Sequence, residues 1–552
     1  MSFLTADARS GTGSTRIRHP RPRAQVPQNP ALSSVWGWVW PLLIAAIGGV
    51  LRMLRLDHPR ELVFDETYYV KDAHSVAHHG VELKWAEDAN DKFAAGDFSA
   101  LSGDPSYVVH PPLGKWMLGA GQLLFDGGAN PFGWRFAAAL IGTLTIVIIA
   151  RIAIRMFGSV WLGVAAALLL AADGQHFVHS RTGLLDIFVM FFVLIAFWLL
   201  LIDRDDARRK ILQRTAGLLG AEAGVGKQHS AGPKSWFMPA SFGPSLGLRP
   251  WRLAGGIALG LACGVKWNGL YALAVFGIMI VLWDVANRRA AGVSRPWLAA
   301  LGKDSVPAFM SLVPVAGIVY LLCWTGWILS PKGWDRGWAA DNSGWWDFLP
   351  DWLVSLAHYH YTAYNFHVGL DKPHTYMSNP WGWTVQWRPT SFYYRSYGPG
   401  EHGCAVDKCS AAILAVGNPV VWGLGTAALV VVLLAWVLRR DWRAGAVLAG
   451  LAAVWLPWFN YQHRTIFTFY TIVMVPFIVL ALVYALGIVW GRATGGTAVQ
   501  DAAAQSLRAR RLAVAVILAA AVLVFAFYYP IWTGATIPYD SWRMRMLNPT
   551  WI

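Results

Sequence analysis

The chain has 552 residues, of which 56% are hydrophobic and only 14% charged, with a formal net charge of +15 and a mean hydropathy of +0.41. So apolar a composition over this length excludes an ordinary water-soluble domain and requires a bilayer as the main solvent. The sequence pI of about 9.7 does not imply nucleic acid as a partner, because the basic residues are segregated along the chain as a topology signal and form no binding stripe.

A hydrocarbon core of about 30 Å needs roughly 20 apolar residues per spanning helix. That ruler predicts an all-α polytopic membrane protein with about eleven spans, near 36–54, 133–154, 159–173, 183–202, 253–265, 267–284, 306–329, 418–438, 443–459, 465–490 and 511–532. Residues 1–35 are polar and rich in Arg and Pro, so they read as a disordered basic tail retained in the cytoplasm, with no cleavable signal. The segments then placed inside (1–35, 151–158, 203–252, 284–305, 439–443 and 491–511) hold 27 of the 46 Lys and Arg but 9 of the 31 Asp and Glu. Basic loops stay in the cytoplasm, so this bias sets the orientation. Within the inner loop 203–252, residues 220–235 are polar and of low complexity, as in a flexible linker.

Two outer segments, 55–132 and 331–417, are longer than connections need be, and long ordered loops carry function. In the first, YYVKDAHSVAHHG reads as an amphipathic helix stopped by Gly80, and HPPLGKWMLGAGQLLF as a helix opened by prolines. The second is Trp-rich, which suits either an interfacial belt or a binding surface. In it, CAVDKC does not have a zinc spacing. In an oxidising compartment Cys404 and Cys409 would close a small structural disulfide. Residues 541–552 form an outer C-terminal tail. The domain reading is a basic tail over 1–35, a transmembrane catalytic region over 36–540 and that outer tail.

Asp65 and Glu66 follow the first span by about ten residues, at the outer boundary of the lipid. One carboxylate there can act as a general base while its neighbour tunes or orients it, although a solvated acidic pair would look the same. Four cations lie at outer span ends: Arg135, Arg181, Lys266 and Arg464. Lys266 is the most telling, since an unpaired ammonium at the centre of a spanning helix costs about 3 kcal/mol and needs an anion or water. A phosphate at the membrane boundary would satisfy it, and so would snorkelling at a helix end. Asp186, inside an apolar run, is expected to pair within the protein. His110, His358 and His360 are phosphate donors or metal ligands, and metal is the weaker of the two readings because His358 and His360 cannot share a helical face. GxxxxGK[ST] and HExxH are absent, which leaves ATPase and zinc protease chemistry without their signatures.

In chain order FDE, HPPLGK, DGQHFVHSRTGLLD, VKWNGLY and HTYMSNPWGWTVQWRP resemble the motifs of the protein O-mannosyltransferases, membrane glycosyltransferases of the GT-C fold. The resemblance runs from about residue 36 to 540. It implies inverting transfer of mannose from a polyprenyl-phosphate mannose donor to Ser or Thr hydroxyls of secreted proteins at the extracytoplasmic face of the plasma membrane, with no metal and no cofactor. It assigns Asp65 as base with Glu66 beside it. Arg135, Lys266, Arg181 and His110 fall to the donor phosphate, and His358, His360, Trp381 and Trp383 to the lining. The lipid bilayer, a Ser/Thr-rich secreted acceptor and the protein translocon are the partners implied. The 331–417 segment is too short for the soluble insertion of eukaryotic members, so the resemblance is to the bacterial branch, and Thr384 stands where a proline commonly follows Trp. Two rivals share these features: a GT-C enzyme serving a lipid or glycan acceptor, and a transporter for a polyprenyl-linked substrate, which would need the cations but no base.

Overall fold

A computed structural model describes residues 29–225, 242–491 and 502–552. The tail over 1–28 and the linker residues 226–241 lie outside the described residues. Among the described residues, eight helices are long and apolar enough to cross a membrane: Trp36–Met53, Pro131–Phe157, Asp186–Ala216, Gly269–Ala290, Pro296–Cys323, Pro419–Arg439, Trp442–Tyr461 and Leu507–Thr533. Three shorter apolar helices, Val160–Ala171, Pro250–Val265 and Val475–Val489, fall where the sequence predicts further spans.

The chain divides into two compact units. The smaller, whose described parts are 205–225, 242–248 and 281–305, has a core of Ala207, Ile211, Leu212, Leu246 and Ala291. In it Arg288 grips Asp304 through two bonds of 2.6 and 2.8 Å. The larger comprises 29–204, 249–280 and the described residues from 306 on. In it helix Pro131–Phe157 packs on Trp36–Met53 and Val160–Ala171, Pro250–Val265 packs on Val306–Cys323, and Pro419–Arg439 packs on Val475–Val489.

Several helices begin at an Asn-Pro pair. The side chains of Asn130 and Asn418 accept from the backbone N–H groups of Phe132 and Val420, each at 3.0 Å, and Pro131 and Pro419 follow in the first turn. The asparagine satisfies one orphan N–H, and the proline has none to satisfy.

The first long segment, 55–132, folds as helix Glu66–His79, ended by Gly80 at φ +79°, and helix Leu113–Leu124, preceded by Pro112. Between them lies a small antiparallel pair, β1 (Leu83–Trp85) and β2 (Leu101–Pro105). The late segment departs from a wholly helical reading. After helix Asp351–Gly369 it forms β3 (Thr390–Tyr397) and β4 (Cys409–Ala415), and β5 (Thr536–Pro538) from the end of the chain completes an antiparallel sheet in the order β3-β4-β5. TSFYYRSY and CSAAILA are aromatic and β-branched enough to form strands, but β4 is buried along its whole length and so lacks the alternation that marks a half-buried strand. Cys404 and Cys409 are disulfide-bonded at the β3–β4 turn. The C-terminal residues are not a free tail: Trp551 is buried, and its indole N–H donates to the Gln386 carbonyl at 3.1 Å.

Gly119 and Gly121 let helix Leu113–Leu124 approach its neighbours closely. A Cβ at Gly121 would stand 2.5 Å from the Gly133 carbonyl oxygen, and one at Gly119 would stand 2.8 Å from that of Ala73. Gly121→Ala is therefore expected to cost about 1–3 kcal/mol through overpacking against backbone. Gly103→Ala, where a Cβ meets nothing within 4 Å, should leave the melting temperature in detergent unchanged.

Candidate active site

The first span ends under a guanidinium. Arg181 donates to the carbonyls of Arg52 at 2.7 Å, Leu54 at 2.9 Å and Arg55 at 3.0 Å, capping the orphan acceptors of helix Trp36–Met53. The chain then runs to Phe64, which sits at φ +49° and stacks on Phe392 at 4.6 Å. Such a conformation is uncommon for a non-glycine residue, and it turns the chain abruptly into helix Glu66–His79.

At that turn the two adjacent acids part company. Glu66 is wholly buried and its carboxylate is saturated. Arg135 donates through Nε and Nη2 at 2.8 Å each, Gly183 N–H donates at 2.7 Å, and Val63 N–H at 2.9 Å. Arg135 spends its remaining N–H groups on the carbonyls of Leu56, Pro59 and Glu61. All five of its donors are thus engaged. Asp65 makes no helix-capping bond and is half-buried. Its electrostatic neighbours are Lys266, Asp186 and the Tyr69 hydroxyl. Burial pushes its carboxyl up to about 6, opposed by Lys266 and by Tyr69.

Lys266 interrupts two helices. It ends Pro250–Val265 in an extended conformation (φ −148°, ψ 147°), and Gly269–Ala290 begins just beyond it. Its ammonium donates to Asp186 at 2.7 Å and lies 5.5 Å and 5.8 Å from the ring centres of Tyr69 and Tyr470. One of its three N–H groups is spent on Asp186, and no bond from the other two occurs among the described residues.

The pair faces a cavity of about 230 Å³ whose lining includes His110, Trp267, Tyr271, His367, Arg464 and Tyr470. Arg464 donates from Nη2 to Nδ1 of His367 at 3.2 Å, and its buried Nε has no partner among the described residues. Nε2 of His367 lies 3.0 Å from the Val109 carbonyl, which fixes the proton on Nε2. Burial and Arg464 hold this imidazole near 4, so it is neutral at physiological pH. His110 stacks on it at 5.2 Å, and burial, with Lys266 next, holds His110 well below its ordinary value.

The cavity therefore gathers Lys266, Arg464, His110 and Asp186 from the residues singled out in the sequence, and Asp65, which does not line it, is an electrostatic neighbour of Lys266 and Asp186. Arg135 and Arg181 lie elsewhere, turned inward on Glu66 and on backbone carbonyls, and contribute no free donor to it. His358 stacks on Trp338 at 4.1 Å and pairs with Asp335 at 3.4 Å, while His360 bonds to the Tyr320 hydroxyl and the Leu356 carbonyl. Trp383 is wholly buried and donates to the Ser378 carbonyl, and Trp381 is exposed against Phe459. None of these four lines the cavity. Tyr364 and His367 do, from the next turns of the helix that carries His360. The HYHYTAYNFH run places residues 360, 364 and 367 on one face, which is the signal by which they were findable.

Two family models match the chain: the C-terminal four TMM region of protein-O-mannosyltransferase over residues 352–551, and dolichyl-phosphate-mannose-protein mannosyltransferase over residues 109–228. The polyprenol-phosphate-mannose–protein mannosyltransferase of Mycolicibacterium smegmatis is 34% identical over 100% of both chains. That of Mycobacterium tuberculosis is 34% identical over 96% of this chain and 95% of its own. Among solved structures, the S. cerevisiae protein O-mannosyltransferase Pmt1–Pmt2 complex bound to the sugar donor matches with a TM-score of 0.67 at 15% identity, covering 95% of this chain and 94% of that one. The fold is thus that of a GT-C membrane glycosyltransferase.

The divergence of the two acids is testable by thermal unfolding. Glu66→Ala leaves the buried Arg135 without its counter-charge and is expected to cost about 3–5 kcal/mol. Asp65→Asn should not destabilise. A carboxyl whose folded value is raised from 3.8 to about 6 is disfavoured as an anion in the fold, so above that pH the neutral amide melts at the same temperature or higher.

Proposed function

The chain belongs to the protein O-mannosyltransferase family and is a polyprenol-phosphate-mannose–protein mannosyltransferase, and on that premise we propose that Asp65 is its general base and that Lys266 and Arg464 hold the donor phosphate. The observation that carries this reading is the cavity itself, which two cations with unspent donors face, near a carboxylate that the Tyr69 hydroxyl meets and that no cation clasps among the described residues.

A Ser or Thr hydroxyl of the acceptor attacks the anomeric carbon of mannose as its proton passes to Asp65. The bond from that carbon to the phosphate oxygen breaks, and the lipid phosphate leaves with the electron pair. A single displacement of this kind inverts the anomeric centre. Lys266 meets the growing negative charge with its two free N–H groups and Arg464 with its guanidinium, in a site where apolar and aromatic walls keep such interactions strong. His110 and His367, neutral, shape the wall between them. Arg135 serves the reaction indirectly by locking Glu66, which leaves Asp65 as the one acid of the pair able to take a proton.

The basic bias of the predicted inner loops supports a multi-pass plasma-membrane protein with its N-terminus in the cytoplasm and this cavity on the opposite face. Secreted, Ser/Thr-rich chains emerging from the translocon are the acceptors that such a placement fits.

Incubating membranes with polyprenyl-phosphate mannose and a Ser/Thr-rich peptide tests the reading directly: label should reach the peptide, and label on a lipid or glycan instead would overturn it. Asp65→Asn is expected to lower turnover by about 10²–10⁴-fold while the donor still binds. In the parent enzyme the rate should fall as pH drops through about 6, where Asp65 takes up its proton, and be level above it. Arg464→Gln should raise the donor KM by about tenfold through loss of a charge-assisted contact, with a smaller effect on kcat.

A further inference from the structure

Helices Pro419–Arg439 and Trp442–Trp455 pack on each other as a hairpin, and the exposed Arg439 and Arg440 at its bend mark where it meets water. At 1.5 Å per residue, Pro419–Arg439 is about 30 Å long, the thickness of a hydrocarbon core. Two side chains of this hairpin reach one short segment. The Thr426 hydroxyl donates to the Thr384 carbonyl at 2.7 Å, and the Trp455 indole N–H donates to the Pro380 carbonyl at 3.0 Å. Thr426 stands thirteen residues from Arg439, and Trp455 thirteen from Trp442. Both therefore place the 3₁₀ turn Pro380–Val385 about 20 Å from that water boundary and about 10 Å short of the other.

Irregular backbone survives at such depth only where protein groups meet its N–H and C=O. Here they do. The Asn379 side chain accepts from the Trp381 N–H at 3.2 Å, and the Trp383 indole donates to the Ser378 carbonyl at 3.1 Å. The Trp387 N–H and the Gln386 side chain donate to the carbonyls of Gly382 and Trp383, each at 3.0 Å. With Thr426 and Trp455, four side chains thus cap four carbonyls of residues 378–384. The side chains of the turn divide sharply: Pro380, Trp383 and Thr384 are buried, whereas Trp381 and Val385 are 71% and 58% exposed. Exposed Asp371, Lys372 and His374 precede the turn and Arg388 follows it, so the chain comes in from water and returns to it. We propose that Pro380–Val385 is a re-entrant turn immersed in the leaflet remote from Arg439, with Trp381 and Val385 seated among lipid acyl chains. An indole is favoured close to the boundary of hydrocarbon and headgroups. Strand β3 begins at Thr390, and its Phe392 stacks on Phe64 beside Asp65. A turn fixed in the leaflet therefore also fixes the height at which that acid stands, whatever the acceptor.

Spin labels report the solvent at each position. Trp381→Cys, Val385→Cys and, on the exposed approach, Lys372→Cys are each made in the full chain with Cys263→Ala and Cys323→Ala, labelled, and reconstituted in phosphatidylcholine vesicles. Collision with oxygen, which partitions into acyl chains, is compared with collision with a water-soluble nickel chelate. Immersion predicts that oxygen dominates at positions 381 and 385, at a depth of about 10 Å, and that nickel dominates at 372. Nickel access at 381 and 385 equal to that at 372 would overturn the proposal, because the turn would then stand in water. Exclusion of both colliders from 381 and 385 would also overturn it, by putting a protein surface where lipid is proposed. An unchanged melting temperature certifies the fold of each labelled variant, and if one of the two turn variants fails that check, the other decides.

Discussion

The fork between Glu66 and Arg135 is the constraint on which the site depends. Burying two opposite charges costs several kcal/mol in desolvation for each ion, and it is tolerable only when every lone pair and proton finds a partner. Here each does. The carboxylate accepts two bonds from the guanidinium and one each from the Val63 and Gly183 N–H groups, and the guanidinium closes on three carbonyls of the 56–61 segment. Three pieces of chain distant in sequence are therefore held at one point. Asp65, one residue away, inherits its position from that point and is met by the Tyr69 hydroxyl without joining the ion pair.

A second buried pair, Lys266 with Asp186, has a different character. It is incomplete by design of its geometry: one N–H of the ammonium is bonded and two are left. Asp186 keeps the ammonium from standing as a bare charge in apolar surroundings, and the tyrosine rings at 5.5 and 5.8 Å add their negative faces. The pair is near neutral without an anion and keeps two N–H groups to offer one, which suits the proposed role of binding a phosphate and releasing it.

Much of the helical architecture was legible, because long apolar runs and basic loops are strong signals. The terminators were legible too: Gly80 ends its helix, and Pro112 opens the next. The Asn-Pro starts were equally available in the sequence as ANPFGW and GNPVVW. The sheet was not, since β4 is buried throughout and shows no alternation. At the cavity, the sequence singled out Lys266, Asp186, His110 and Arg464 among its lining but not the direction of each side chain. Sequence alone does not distinguish an arginine at a span end that caps a helix, as Arg181 does, or that clasps a carboxylate, as Arg135 does, from one that faces a cavity, as Arg464 does. The HYHY run likewise drew attention to His358 and His360, whereas the helical period carries the cavity-facing role one turn further to Tyr364 and two to His367.

The third strand of the β3-β4-β5 sheet comes from residues 536–538, beyond the last long apolar helix, and the 386–388 turn is held by the Trp551 indole and by Arg388 reaching the Ile552 carbonyl at 3.0 Å. Synthesis runs from the N-terminus, so the motifs around Asp65 leave the ribosome hundreds of residues before the pieces that complete the sheet beside them. The sheet that packs on Phe64, next to Asp65, is finished last. A nascent chain whose early spans are already threaded into the bilayer therefore lacks this assembled sheet until translation has passed helix Leu507–Thr533, and the order of biosynthesis becomes a built-in delay between insertion and competence.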